Sequence, residues 1–556
     1  MGTIASDSSA IGRASGKQMA LSFDAPTRRR SVRFVWQMQL IAMLLAALWL
    51  RVDEFDRLPG LNGDEAWYGV QALSLLAGEP FESRTPTGNV LNPFYFVPLV
   101  AVHAMYSASI AALRSVALVS GLLAIAVNWL LCRRVFGEGV ASATSLALAV
   151  LPINVAYSRF GWDTSQTLLF SVPVVYGALL AVKEASRAGR WMAVSWVCLV
   201  AAIVVHPTNV FLLPMPLVAS TIAVAQPLSR LWRWLRQYPL ATVGACGLLL
   251  CVAIVAVWMA RGWLDSAPGR VFNIGEIARF ASAYVRLLSG VTAYQYIPGS
   301  LLPDGQAYDT SSLIVLLFDG LVAVLVAVAS WGWCYALRQG AQAMDMTLLA
   351  GWALIAVGFY LVAGPGAIAP HFERYGLCLI VPAVVVVSRG IAIRLTHTAS
   401  TARALWTLTA LGWLSLVGFQ VFYLSVFEAS GGRSHRAFRV AEGDPKQMAL
   451  RQIASIAEES EVTIVTTEWW TYWPLRYLAC GETIRVVLAN EPDASLTDAT
   501  GGGSTSIWYV EFVDAPNYPA AREQLLSAEG DWRETLIRDA RGRPILALFS
   551  QHRRHS

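Results

Sequence analysis

The chain has 556 residues, of which 56% are hydrophobic and only 14% charged, with a formal net charge of +5. Ordinary globular chains carry roughly 25% charged residues, so a soluble multidomain protein is excluded. The apolar residues fall in runs near the ~20 that a helix needs to cross hydrocarbon, which makes this a polytopic membrane protein.

Residues 1–32 are polar, rich in Ser, Ala and Arg, and include Arg28-Arg29-Arg30. The apolar run behind them is long and is followed by no small-residue cleavage site, so a disordered cytoplasmic tail is expected and not a cleaved signal. The first span is predicted at 34–50. In the polar stretch 51–110, the portions 64–77 and 92–106 suit two amphipathic helices lying on the membrane surface. Further spans are predicted at 111–131, 139–156, 165–182, 191–205, 209–225, 239–260, 312–336, 347–363, 376–393 and 404–427, about eleven in all. A second long polar loop, 261–311, carries Arg261, Arg270, Arg279 and Arg286.

With the N-terminus in the cytoplasm, the short loops 132–138, 183–190, 226–238, 337–346 and 394–403 are cytoplasmic too. Each contains Lys or Arg, as the positive-inside rule asks. Both long loops, the links 157–164, 206–208 and 364–375, and the C-terminal region then share the outer face. The transmembrane unit is expected to cover 33–429. Residues 430–556 turn polar, with short β-branched runs at 462–466, 484–488, 507–512 and 545–549 and helical patterns at 446–458 and 519–528. That reads as a small external α/β domain.

Seven cysteines are present; only Cys480 lies in a soluble stretch, and no C-x-x-C pair occurs. A disulfide framework or structural zinc is not expected. The net charge follows from where the loops lie and does not point to nucleic acid. There is no internal repeat of the solenoid or inverted-repeat transporter kind.

The candidate chemistry gathers on the outer face. Gly63-Asp64-Glu65-Ala66-Trp67-Tyr68-Gly69 opens the first surface helix with two acids. Acids there favour the helix N-terminus. A carboxylate at the membrane–water boundary, beside Trp67 and Tyr68, also suits a general base toward a hydroxyl or amine, with partial desolvation raising its pKa. Both roles are compatible. Asp163, after Tyr157-Ser158-Arg159-Phe160-Gly161-Trp162, either caps its helix or supports the first acid, binds a cation, or bonds a sugar hydroxyl. Arg374 and Tyr375 stand at the outer start of a span. The Arg serves there as a snorkelling anchor or as a bidentate phosphate ligand. His206, before Pro207, ends a span and is structural or substrate-binding. The arginines of 261–311, Arg270 among them, are abnormal for an outer loop under the positive-inside rule; the rule tolerates them in longer loops, and a phosphate-bearing lipid would also explain them.

At these residues the chain resembles the GT-C membrane glycosyltransferases, in the branch of protein O-mannosyltransferases and lipid A aminoarabinose transferases. The likeness rests on Gly63-Asp64-Glu65-Ala66-Trp67-Tyr68 after the first span, on Asn92-Pro93-Phe94-Tyr95 at the place of a Pro-Pro-Leu-Tyr-like motif, on Tyr157-Ser158-Arg159 to Asp163, and on Glu373-Arg374-Tyr375. By topology it covers about 35–430. It implies a polyprenyl-phosphate-linked sugar donor and inverting transfer to a glycan, glycolipid or protein acceptor. The setting is the outer face of a bacterial inner membrane. It also implies Asp64 as base, and cationic side chains for the departing lipid phosphate. Asp64 and Glu65 are thus the candidate catalytic acids; Tyr68, Arg159, Asp163, His206, Arg270, Arg374 and Tyr375 are the candidate substrate-binding residues.

There are departures. Leu91 and Asn92 stand where the aminoarabinose transferases carry an acid and a lysine, and Phe94 replaces the second Pro of the motif. A divalent cation, Mg or Mn, is the one cofactor the resemblance raises, yet 261–311 contains no counterpart of the metal-binding His in those enzymes. Two other classes compete: a transporter or flippase of lipid-linked saccharides, and a noncatalytic assembly protein whose outer domain binds a partner. A transporter is expected to carry charge inside its spans, whereas spans two to eleven have Asp319 as the main exception.

Overall fold

The structure, a computed structural model, describes residues 25–86, 88–225, 274–290, 313–369, 372–396, isolated positions between 407 and 418, 436–457, 461–489, 506–527, 532–539 and 541–551. Predicted span 239–260, nearly all of 404–427, and Arg270 lie outside them. Seven helices among the described residues are long and apolar enough to cross a membrane, and they match the predicted spans at 34–50, 111–131, 165–182, 191–205, 312–336, 347–363 and 376–393. The predicted spans 139–156 and 209–225 correspond to shorter apolar helices.

Local sequence accounts for most element boundaries. Helix α1 (Ala25–Val52) starts inside the stretch expected to be disordered. Pro26 lies in its first turn, where no N–H is missed, and good helix formers follow. Helix α2 (Gly63–Ala77) opens on a capping box, with Asn62 accepting from the Glu65 N–H and Glu65 reaching back. It ends on Gly78 at φ 73°, a left-handed position that favours glycine. Helix α3 (Pro93–His103) has Asn92 as cap and Pro93 in the first position. Helix α4 (Ile110–Phe136) is capped by Ser109. Helix α5 (Glu138–Val150) stops at Leu151, because the residue before Pro152 is pushed out of helical geometry, and α6 (Pro152–Tyr157) restarts the chain. This break interrupts the predicted 139–156 span.

The bundle continues through α7 (Thr167–Lys183), α8 (Ala188–Val205) and α9 (Pro214–Ala225). Further along the chain come α10 (Ile274–Ser289), α11 (Leu313–Arg338), α12 (Ala343–Val362) and α13 (Ile380–Thr396). The spans Asp163–Lys183 and Glu373–Leu395 are 78% and 83% buried and form the interior, whereas Val35–Val52 and Leu317–Arg338, at 22% and 17%, face outward to lipid. Polar side chains link the interior helices: Asn128 Nδ2 donates to Thr144 Oγ1 and Ser145 Oγ at 2.9 Å each, and Tyr176 O–H donates to Asn128 Oδ1 at 2.9 Å. Helix α10 is an amphipathic helix within the long polar loop expected at 261–311; its apolar Phe280, Tyr284 and Leu287 recur at helical spacing and face the bundle.

The C-terminal domain contains α14 (Pro445–Ala457), β1 (Val462–Thr466), α15 (Trp469–Leu478), β2 (Ile484–Leu488), β3 (Ser506–Phe512), α16 (Tyr518–Ser527), β4 (Trp532–Arg538) and β5 (Pro544–Gln551). The strand order is β2-β1-β3-β5-β4. Strand β1 is parallel to both its neighbours, β2 and β3, while β5 runs antiparallel to β3 and β4. The expected strands are all present; α15 and β4 are additions. Helix α15 bears most on the rest of the molecule, since it packs along α2 and carries the domain onto the start of the surface helix.

Candidate active site

The two neighbouring acids of α2 have different surroundings. The Glu65 carboxylate is wholly buried and bonded from several sides. It accepts from Arg114 Nε (2.8 Å) and Nη2 (3.0 Å), from the Gly161 N–H (2.7 Å) and from Asn62 Nδ2 (2.7 Å). Arg114 is equally enclosed and also donates to the carbonyls of Phe55 and Pro59. Glu65 therefore ties the first loop to α4 and to the 157–164 link, and its oxygens face protein donors. Of the two candidate catalytic acids, it is the one enclosed by its own protein partners.

Asp64 turns the other way. About a third of its side chain (35%) remains exposed, and its Oδ2 lies 3.7 Å from Arg374 Nη1. The Trp469 indole stands close enough to act on it, its Nε1 packed against the neighbouring Gly63. Burial of the rest of the group pushes its pKa above the usual carboxylate range, Arg374 and Trp469 pull it down, and Glu65 adds a small upward push. Arg374 is fixed in turn by Tyr375, whose hydroxyl accepts from Nη2 at 3.2 Å, and its guanidinium lies 5.8 Å from the centre of the Trp162 ring.

Asp163 stands at the start of its span, close enough to Asp64 and Arg374 to interact with both. Its Oδ1 accepts from the Thr164 N–H at 2.7 Å, and the Tyr68 hydroxyl lies close enough to interact with it. Tyr68 packs edge-on against Trp67 and Tyr95, with ring centres 5.0 and 5.2 Å away. His206 lies 5.8 Å from the Tyr375 ring, and its Nδ1 meets Thr208 Oγ1 at 2.7 Å. Burial, reinforced by Arg374, pushes its pKa down to about 3, so the imidazole is neutral near neutral pH. Asp64, Tyr68, Asp163, His206, Arg374 and Tyr375 thus converge from four separate parts of the chain.

Two candidates do not join them. Arg159 is buried and donates to the carbonyls of Leu50 (2.9 Å), Asp53 (2.6 Å) and Leu58 (2.8 Å), so it clamps the end of α1 and does not present its guanidinium to a substrate. Arg270 lies outside the described residues. Trp162, part of the stretch leading to Asp163, stands beside the cluster, as does Trp469, which the sequence reading did not single out. Asp319, the charged exception within a span, accepts from Ser289 Oγ at 2.7 Å and lies 3.6 Å from Arg286 Nε.

Among the described residues the donor set falls short of a cation site built by the protein alone. Asp64 and Asp163 bring two carboxylates, but a guanidinium already sits between α2 and the 373–375 turn, and no cluster of three or more His, Cys, Asp or Glu occurs among the described residues. No step below is routed through a metal. Away from the acids, an apolar cavity of about 130 Å³ lies between α5, α10, α11 and α13, lined by groups such as Leu146, Phe318 and Val384. None of the six converging residues lines this cavity.

No family model matches the chain, and no curated protein matches it either. Solved structures do. The apo structure of ArnT from Cupriavidus metallidurans aligns over 93% of this chain and 98% of its own, at 14% identity and a TM-score of 0.54. The structure of the same protein bound to undecaprenyl phosphate aligns over 92% and 98%, at 14% identity and a TM-score of 0.52. The likeness gives the chain the ArnT fold, as the GT-C resemblance implied.

Proposed function

We propose that the protein is an inverting glycosyltransferase that moves a sugar from a polyprenyl-phosphate-linked donor to a glycan, glycolipid or protein acceptor, on the outer face of a bacterial inner membrane. The observation that carries this reading is the meeting of a partly exposed carboxylate, Asp64 on a surface helix, with Arg374 at 3.7 Å, at the start of an apolar span. The fold shared with a protein that binds undecaprenyl phosphate supports a lipid phosphate as ligand.

In this mechanism the donor phosphate takes over the Arg374 guanidinium, which releases Asp64 from its ion pair. Asp64 then accepts the proton of the acceptor hydroxyl or amine. The acceptor heteroatom bonds to the anomeric carbon from the side opposite the phosphate. The anomeric C–O bond breaks, its electron pair stays on the phosphate, and the sugar inverts. Arg374 stabilises the charge that grows on the leaving phosphate. The upward push of burial on Asp64 makes it a stronger base, and its residual exposure lets the proton leave afterwards. Tyr68 and Asp163 stand together beside it and suit sugar hydroxyls, with neutral His206 as a further polar neighbour.

The test is transfer by purified protein in detergent with undecaprenyl-phosphate-linked sugars, alongside mass spectrometry of envelope glycans from a deletion strain complemented with each variant. Asp64→Asn is expected to lose roughly 10²–10⁴-fold in turnover while remaining folded. Unchanged turnover in folded Asp64→Asn ends the claim that Asp64 is the base.

A further inference from the structure

Helix α15 of the C-terminal domain lies along α2, and its first residue, Trp469, reaches the start of that helix. The fit is tight. A Cβ added at Gly63 would stand 2.5 Å from Trp469 Cδ1, 2.6 Å from Nε1 and 2.9 Å from the Trp469 carbonyl. Only glycine allows this approach, and it brings the indole edge to the residue preceding Asp64. At the other end of α15 the Tyr477 ring lies against Gly69, and its hydroxyl donates to the Ser109 carbonyl at 2.9 Å. The segment entering α2 is held by the same domain. The Gly60 N–H donates to the Phe438 carbonyl at 3.1 Å, and the Leu61 N–H donates to Asp444 Oδ2 at 2.6 Å. Asp444 is itself buried and paired with Lys446 at 3.0 Å.

We infer that Trp469 is a positioning residue of this site: its indole N–H holds the Asp64 carboxylate in place, so the C-terminal domain is a working part of the site and not only an appendage. This rests on the reading of Asp64 as base but concerns a different residue and domain. The groups facing Asp64 are Arg374 ahead of α13, Asp163 ahead of α7, Glu65 and Tyr68 on α2, and Trp469 on α15. Of these, Trp469 is the neutral donor that comes from outside the membrane unit. A bond donated to a carboxylate favours its charged form, so losing it moves protonation of Asp64 to higher pH.

Labelling with a hydrophobic carbodiimide, which reacts with protonated carboxyl groups, reads this without donor or acceptor. The full-length protein in detergent is labelled across a pH series, and modification of Asp64 is quantified by peptide mass spectrometry. Trp469→Phe keeps an aromatic ring and loses the N–H. It is expected to raise the midpoint of Asp64 labelling by about one pH unit and to shift the acid limb of any transfer activity the same way. Trp532→Phe, on the edge strand β4, is expected to leave the midpoint where it is. Where Trp469→Phe does not accumulate as folded protein, Trp469→Met gives the same comparison. An unchanged midpoint in either Trp469 variant, or an equal shift in Trp532→Phe, overturns the inference. If Asp64→Asn abolishes transfer and the Trp469 midpoint does not move, only the role of Trp469 falls. If Asp64→Asn transfers normally, the functional reading falls, whatever the labelling shows.

Discussion

Asp64 and Glu65 are adjacent, yet their replacement should fail in opposite ways. Glu65 and Arg114 are both fully buried, 2.8 Å apart, and Glu65 also accepts from the Gly161 N–H and from Asn62 Nδ2. Glu65→Gln removes the charge that balances Arg114 and turns an amide N–H₂ toward groups that are themselves donors. Breaking a buried ion pair on one side costs about 3–5 kcal/mol; because Gln keeps one acceptor oxygen, the lower end, about 3 kcal/mol, is expected. Asp64 is a third exposed and its ion pair is longer, so Asp64→Asn should cost under about 1 kcal/mol. Denaturation of purified protein in mixed micelles, followed by circular dichroism, measures both. The double variant Glu65→Gln/Arg114→Met should regain part of the loss, because it leaves no orphaned buried charge. A Glu65→Gln protein as stable as wild type, or an Asp64→Asn protein less stable than Glu65→Gln, refutes this division of roles.

Two further outcomes follow from the same geometry. Arg374→Gln should weaken binding of undecaprenyl phosphate by roughly ten- to a hundredfold, the worth of charge-assisted bonds to one phosphate; competition binding in detergent measures it, and unchanged affinity removes Arg374 as the phosphate ligand. Glu468, paired with Arg436 at 3.1 Å, is pushed up to about 7 by burial and by Glu511. The folded form then holds a proton that the unfolded chain releases near pH 4.5, so stability is lost as pH rises from about 4.5 through about 7. Melting curves at pH 5 and 7.5 should show this fall, and Glu468→Gln should flatten it; an equal slope in the variant would count against it.

Much of the architecture is legible in the residues themselves. Length and hydropathy are enough to place membrane helices, because covering backbone polar groups in hydrocarbon leaves few alternatives. Asn62 with Glu65, and Asn92 with Pro93, mark the starts of both surface helices through local bonding. The β-branched runs mark β1, β2 and β3. Helix α15 was harder to see. Its run Trp469-Trp470-Thr471-Tyr472-Trp473-Pro474 has an internal proline and little polar contrast, because one side meets α2 and another meets the sheet. Strand β4 alternates half-buried and exposed residues at the sheet edge, so its apolar signal is weak.

By itself the sequence determined that this is a multi-pass helical protein with a small α/β appendage, and that acids and cations cluster at the ends of spans. Only the tertiary structure decided which of them meet. Successive residues of a helix point about 100° apart, so Asp64 faces Arg374 while Glu65 faces Arg114, although both read alike in the chain. Arg159 looked as available as Arg374, but it spends its donors on the carbonyls at the end of α1. Trp469, four hundred and five positions after Asp64, reaches that carboxylate only because the C-terminal domain folds back onto α2. Contacts over that separation depend on packing between elements, which no local pattern of residue types records.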